Sequence, residues 1–282
     1  MVLVAVTQMT SSGVLRENLG VAVQLIAKAA AAGAKAVFLP EATDFIAPAQ
    51  AVPALTRSDE HAEFVREICA AAKQHLVWVS VGIHEAPRHT EDSARCFNSQ
   101  LLVDPCGVLR ACYRKLHLYD VDIQHGPSIL ESNTTVGGAE LVPPVATTVG
   151  AIGQLLTCYD MRFPEAALSL RRQGAHVLTF PSAFAMRTGA AHWSLLLRAR
   201  AVDTQCFVLA AAQVGPHPGT LRTSWGHAMI VDPWGSIIAQ CSDMTPYTPT
   251  FCVADVDLQM LETVRAEMPL WDQRRGDIYA TL

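Results

Sequence analysis

The chain has 282 residues, is 50% hydrophobic and 17% charged, and carries a net charge of -5. That composition can bury a sizeable core, and it offers no basic run to hold nucleic acid or an acidic membrane surface. The length suits one large sandwich or barrel, and with no linker, low-complexity tract or short repeat, residues 1–282 read as a single domain.

The eight cysteines contain no C-x-x-C pair and the ten histidines no H-E-x-x-H pattern, so no zinc site is expected. A chain this long needs no disulfide framework, which favours a reducing compartment. Cytoplasm is the expected location, with a mitochondrial pool left open. Met1 leads straight into Val2-Leu3-Val4-Ala5-Val6, a core strand rather than a leader with a basic flank and cleavage site. Lys28, Lys35 or glycines break the apolar runs before they reach the ~20 residues that span a bilayer.

After the first strand, residues 16–32 are alanine-rich and helix-favouring, and Gly33 suits their C-cap. Residues 35–39 form a short buried strand that Pro40-Glu41 ends. A second helix spans 59–75, with Phe64, Ile68, Ala71 and Ala72 on its apolar face. A strand follows at 76–83. Residues 97–103 and 108–113 flank Asp104-Pro105-Cys106-Gly107 and read as a hairpin. Residues 116–144 show little periodicity and are too long for a plain connector; such ordered loops often carry function. A strand at 152–156 precedes a helix at 165–173. Then come a strand at 177–180, a helix at 190–203 and a strand at 206–213. A second hairpin joins 227–231 to 236–240 through Asp232-Pro233-Trp234-Gly235. The last strand is 251–256 and the last helix 258–268. Alternating strands and helices with interspersed hairpins point to α/β with mixed sheets and helices outside. About ten strands and two hairpins favour two sheets over one.

The organising stretch is Thr157-Cys158-Tyr159-Asp160-Met161-Arg162-Phe163-Pro164-Glu165. An apolar strand stops at Cys158, and Pro164 and Glu165 suit the first turn of a helix. A cysteine on such a strand-to-helix turn is held out of the sheet with backbone N–H groups beside it, as in nucleophile elbows. The plain alternative is a buried free cysteine.

A thiol nucleophile needs a base, and no histidine stands out by position. Glu41 follows the buried run Val37-Phe38-Leu39-Pro40, so it sits at the end of a core strand, where an apolar setting would raise its pKa toward that of a working base. A solvated loop acid is the alternative. Lys115, just past the 108–113 strand, offers an ammonium that could stabilise an oxyanion together with the Tyr159 N–H. It could equally be a surface lysine. Glu131 is a further acid in the long loop.

Phe38-Leu39-Pro40-Glu41-Ala42, Tyr113-Arg114-Lys115-Leu116-His117-Leu118 and the Cys158 stretch resemble the three signature motifs of the nitrilase superfamily, in order and at suitable spacing. Glu131-Ser132-Asn133, Ala191-His192-Trp193, Arg198-Ala199-Arg200-Ala201, Trp225-Gly226-His227 and Val231-Asp232-Pro233-Trp234-Gly235 extend the match over nearly the whole chain. The combination resembles the Nit branch, most closely its deaminated glutathione amidases and less closely the omega-amidases that hydrolyse 2-oxoglutaramate. The resemblance implies an α-β-β-α four-layer sandwich with two mixed sheets. It implies catalytic Glu41, Lys115 and Cys158, with Glu131 supporting them. It implies a substrate-binding role for His192, a thioester intermediate, no metal or organic cofactor, and a homodimer or homotetramer.

The expected substrate is the amide of a small 2-oxo acid, which Arg162 could hold by its carboxylate, or Arg162 could only brace the turn. A non-catalytic Nit-type binding partner is the rival of a different class. Two departures stand out: Ser194 occupies a place where many relatives have Glu, and Ala190 or Ala191 stands where many have Pro. Residues 214–223 match no family pattern.

Overall fold

The computed structural model describes residues 1–87, 94–122, 128–153 and 156–279. Its first half contains β1 (Val2–Met9), α1 (Leu15–Ala31), β2 (Ala36–Phe38), α2 (Val52–Thr56), α3 (Asp59–His75), β3 (Trp78–Glu85), β4 (Phe97–Val103) and β5 (Leu109–Arg114). Next come β6 (Asp120–Asp122), β7 (Ser128–Leu130), β8 (Val145–Thr147), β9 (Gly150–Ile152), α4 (Pro164–Arg172), β10 (Val177–Thr179), α5 (Met186–Thr204) and β11 (Phe207–Ala210). The chain continues through β12 (Ala212–Pro216), β13 (Thr223–Trp225), β14 (Met229–Val231), β15 (Ile237–Gln240), β16 (Thr250–Val256) and α6 (Leu258–Glu267).

Local chemistry explains the clearest boundaries. Ser58 caps α3 by accepting from the His61 N–H at 3.1 Å, Asp59 and Glu60 favour the positive end of the helix, and Leu76 leaves it in the left-handed region. Asp104 accepts from the Cys106 and Val108 N–H groups and so closes the β4–β5 turn, as Asp232 does for Trp234 and Ser236 between β14 and β15.

Two mixed sheets result. One runs β13-β12-β1-β2-β3-β4-β5 with β16 also on β1; the other runs β15-β14-β11-β10-β9-β8. The period-2 alternation of strands divides the core. Val4, Val6, Ala36 and Phe38 face the second sheet, while Ala5, Val37 and Leu39 pack with Leu25, Ile26, Phe64 and Ile68 of α1 and α3. Leu170, Trp193 and Leu197 of α4 and α5 join the first cluster. The order is helices, sheet, sheet, helices, which is the expected four-layer sandwich. Among the described residues no helix is long and apolar enough to cross a membrane.

Two expectations need correction. The strand at 206–213 is two strands: β11 pairs within the second sheet and β12 within the first, so the chain changes layers near Ala211. An uninterrupted apolar run has no periodicity that could mark this change. Among the described residues sixteen strands replace about ten, the additional ones being mostly three-residue strands in loops. The expected 152–156 strand is present as β9 to Ile152, and residues 154–155 lie outside the described residues.

The joint between β1, β2 and β12 positions the site. Gln8 pairs with Thr250 of β16 on one edge and Ala212 of β12 on the other, while Val4 pairs with Ala254 and Ala36. So β12 takes over the edge of β1 that β2 leaves after Phe38. Glu41 turns in where the two strands part.

Candidate active site

Glu41 is held by its backbone before its side chain makes any contact. Ala42 adopts a φ of +53°, and the Gln213 amide donates to the carbonyls of Glu41 at 3.0 Å and Ala42 at 3.2 Å. Gly82 of β3 lies directly beneath this turn. Its N–H donates to Pro40 O at 3.2 Å, and a Cβ there would sit 2.5 Å from Pro40 O and 2.7 Å from Glu41 Cα. Only a glycine lets the turn lie this close to the strand.

Glu41 is 5% exposed and its side chain is fully engaged. Oε1 accepts from Asn98 Nδ2 at 2.7 Å and Lys115 Nζ at 3.0 Å; Oε2 accepts from the Ala183 N–H at 2.8 Å. Lys115, only 2% exposed, also donates to Glu131 at 2.8 and 3.1 Å. Glu131 is oriented in turn by Asn98 Nδ2 at 3.1 Å and the Tyr119 N–H at 2.7 Å. The β6–β7 pair carries Glu131 out of the long loop and back to this cluster.

Charge balance explains how such a cluster survives burial. Desolvation opposes the charge on Glu41, but the Lys115 ammonium and the Asn98 amide outweigh it and hold the carboxyl below its ordinary value. The expectation of a raised Glu41 is therefore corrected: its strand end is apolar, but its tip is not. Burial likewise opposes the charge on Lys115, and the charges of Glu131 and Glu41 hold it well above its ordinary value. Cys158 goes the other way. Burial and the nearby Glu41 charge push its thiol far up, against the pull of Lys115. The resting cluster is thus carboxylate, ammonium and neutral thiol.

Cys158 opens a short 3₁₀ turn, Cys158–Arg162, that leads into α4. Its φ of +49° is the left-handed region, uncommon for a side chain larger than glycine and frequent at functional sites. Thr157 and Asp160 form a reciprocal capping box beneath it, and the Cys158 N–H donates to Pro181 O at 3.0 Å. Glu41 and Lys115 both act on the Cys158 thiol, so acid, lysine and thiol share one buried cluster.

Asp160 ties this turn to Lys115. Fully buried, it accepts from Tyr113 OH at 2.7 Å, lies 2.7 Å from His117 Nδ1, and accepts from the His117 and Thr157 N–H groups at 3.0 and 2.9 Å. Asn98, Gly82, Gln213 and Asp160 with its two partners are the supporting residues that the sequence reading missed. For the last three a signal existed: polar Tyr113, His117 and Asp160 sit inside the Lys115 and Cys158 motifs.

The remaining candidates lie beside the turn. Tyr159 packs edge-on against Tyr119 at 5.1 Å. Arg162 and His192 come together: both terminal guanidinium nitrogens lie 3.2 Å from His192 Nδ1, and the guanidinium carbon sits 5.5 Å from the Tyr159 ring centre. The buried Arg162 Nε has no hydrogen-bond partner among the described residues. Ser194 is exposed on α5.

Residues 3–266 match the family described as carbon-nitrogen hydrolase. The chain is similar to "Probable hydrolase nit2" of Schizosaccharomyces pombe, 45% identical over 285 residues and 100% of both chains. It is 43% identical to the deaminated glutathione amidase of Mus musculus, over 99% of this chain and 85% of that protein. The crystal structure of the C. elegans NitFhit protein matches with a TM-score of 0.91 at 41% identity, over 99% of this chain and 66% of that one. A buried acid–lysine–cysteine cluster in a four-layer sandwich, matched along its length by these relatives, places the chain in the carbon–nitrogen hydrolase family, as a hydrolase of carbon–nitrogen bonds other than peptide bonds.

Proposed function

We propose that the protein is an amidase that cleaves the amide of a small 2-oxo acid, with deaminated glutathione as its substrate, through a thioester on Cys158. The observation that carries this reading is the buried Glu41–Lys115 ion pair, Lys115 on one carboxylate oxygen and the Ala183 N–H on the other, whose charges act on the neutral Cys158 thiol.

Glu41 takes the thiol proton as sulfur attacks the amide carbon. Lys115 and the Tyr159 N–H, a first-turn donor with no partner required by its own turn, stabilise the oxyanion. Glu41 returns the proton to the leaving nitrogen as the carbon–nitrogen bond breaks, which leaves the acyl group on sulfur. Glu41 then takes a proton from water, whose oxygen attacks the thioester, and the thiol is restored with that proton. Glu131 and Asn98 hold Lys115 and Glu41 in place throughout. Arg162, with its unpartnered Nε–H and its contact to His192, holds the 2-oxo carboxylate.

The mammalian relative's activity supports deaminated glutathione over 2-oxoglutaramate. In this reading residues 1–282 act as one domain, without a cofactor, in the cytoplasm and as a homodimer or homotetramer. A panel of deaminated glutathione, 2-oxoglutaramate and simple aliphatic amides tests it, with release of amine or ammonia as the readout. Deaminated glutathione should give the highest kcat/KM, and a higher value for any other amide would refute the substrate assignment. Absence of hydrolysis across the panel would favour the non-catalytic binding role instead.

A further inference from the structure

The β12–β13 hairpin forms the wall beside Glu41. Gln213 in β12 clamps the Glu41 turn, and Val214, Gly215 and Pro216 pair with Trp225, Ser224 and Thr223. The tip of the hairpin is closed and pinned. The His217 N–H donates to Arg222 O at 2.9 Å, and the two ring nitrogens of His217 lie 2.9 Å from Ser11 O and 2.7 Å from Ser224 Oγ. Burial lowers the His217 pKa to about 4, so this ring is a neutral pin at physiological pH. The Thr220 hydroxyl accepts from the Arg222 N–H at 3.1 Å.

Arg222 is the only lysine or arginine between Pro216 and Trp225. Its side chain is exposed and enters no ion pair among the described residues, yet its positive charge acts on the buried Glu41. Arg222 belongs to the hairpin whose base clamps the Glu41 turn and whose tip is pinned to Ser11, and its backbone pairs with His217 at that tip. Arg162 ends the Cys158 turn and lies against His192 and the Tyr159 ring.

The two ends of an amide divide between these cations. Glu41 delivers a proton to the leaving nitrogen, so the amine half lies on its side. A dipeptide amine starting there carries its terminal carboxylate about 7 Å onward, at 3.3–3.6 Å per residue. Resting on the amidase reading above, we propose that Arg222 binds the terminal carboxylate of the leaving peptide, which makes the hairpin tip a specificity element for amides whose amine half ends in a carboxylate. An arginine suits this role because its planar fork pairs with a carboxylate and stays charged throughout.

The experiment compares the full-length protein with Arg222→Ala and Arg222→Lys. The substrates are deaminated glutathione, its glycine-amidated form and 2-oxoglutaramate, whose leaving group is ammonia. Arg222→Ala should raise KM for deaminated glutathione roughly tenfold, with kcat nearly kept, and move the other two substrates far less. Arg222→Lys should recover part of the loss. Added salt should raise KM for deaminated glutathione in the parent protein and much less in Arg222→Ala. Equal changes on all three substrates would mean that Arg222 only tunes Glu41, and no change on any would mean a solvated side chain; either result overturns the proposal. If the unaltered protein hydrolyses none of the three, the amidase reading itself fails first, a result separable from either.

Discussion

Asn98 and Lys115 donate to the same oxygen of Glu41, Oε1, at 2.7 and 3.0 Å. Their backbones are also joined, since the Lys115 N–H donates to Asn98 O at 2.8 Å. The end of the β4–β5 ladder thus delivers both donors to the acid together. Among the described residues the other oxygen, Oε2, accepts from the Ala183 N–H alone, which divides the carboxylate into a doubly held side and a freer side.

Removing one holder should reveal this division. Asn98→Leu keeps the branching at Cγ and deletes a hydrogen bond that lowers the Glu41 pKa. The acid limb of the kcat/KM–pH profile should move to higher pH, because a carboxyl with less support keeps its proton longer. The rate at its optimum should fall about tenfold, the equivalent of one ordinary charged hydrogen bond. A profile with an unmoved acid limb would show that Glu41 is not the titrating base.

Lys115→Met removes the charge between two acids. It leaves Glu41 and Glu131 without their ammonium, and breaking such a buried pair typically costs about 3–5 kcal/mol. Glu41, lowered from 4.5 in the parent, contributes stability above that value and loses it as the pH falls. Without Lys115, burial would raise Glu41 instead. The melting-temperature gap between variant and parent should therefore be widest at neutral pH and narrow toward pH 4.5, as the carboxyl protonates. A gap independent of pH would point to lost packing alone.

Gly82→Ala tests backbone placement. The new methyl would press on Pro40 O and Glu41 Cα, backbone atoms that cannot swing aside. The Glu41 turn must shift, and displacement by about 1 Å can cost 10²-fold in rate. We expect a folded protein with circular dichroism close to the parent's and activity reduced on the order of a hundredfold. Near-parental turnover would show that the turn can relax away from β3.

Much of this arrangement was legible in the sequence, but unevenly. Helix α3 was readable to the residue, because Ser58, the acids after it and the apolar spacing all agree. Glu41, Lys115, Glu131 and Cys158 were readable because their motifs carry them. Asn98 was not, because a polar residue in a strand looks the same whether it faces water or an acid. The direction of the Glu41 pKa was misread for a related reason. It is set by Lys115, 74 positions away along the chain. The layer change near Ala211 was hidden because both faces of that run are apolar.

Asp44 supports the loop that follows Glu41. It lies 3.1 Å from His61 Nε2 and 3.0 Å from His84 Nδ1, and accepts from the His84 N–H at 2.7 Å. Burial opposes its charge, but the two histidines prevail and bring its pKa from 3.8 to about 2. A depressed carboxyl contributes stability above its unfolded value and loses it as the pH falls through its folded value, here between 3.8 and about 2. Asp44→Asn should cost about 2 kcal/mol at pH 7, and the difference should nearly vanish near pH 2 in urea titrations. An undiminished difference at the low pH would contradict the assigned pKa.

The central claim is that Cys158 carries the acyl group and Glu41 moves its proton. Intact-mass measurement after rapid acid quench, on the parent protein, Cys158→Ala and Glu41→Gln, tests it most directly. With deaminated glutathione, the parent should gain the mass of a 2-oxoglutaryl group on the peptide containing Cys158 within one turnover. Cys158→Ala should gain nothing and turn over no substrate, and Glu41→Gln should acylate at least ~10²-fold more slowly, the usual loss on removing a general base. Rapid acylation of Glu41→Gln, an adduct on another residue, or more than a few per cent of parental turnover by Cys158→Ala would contradict the account.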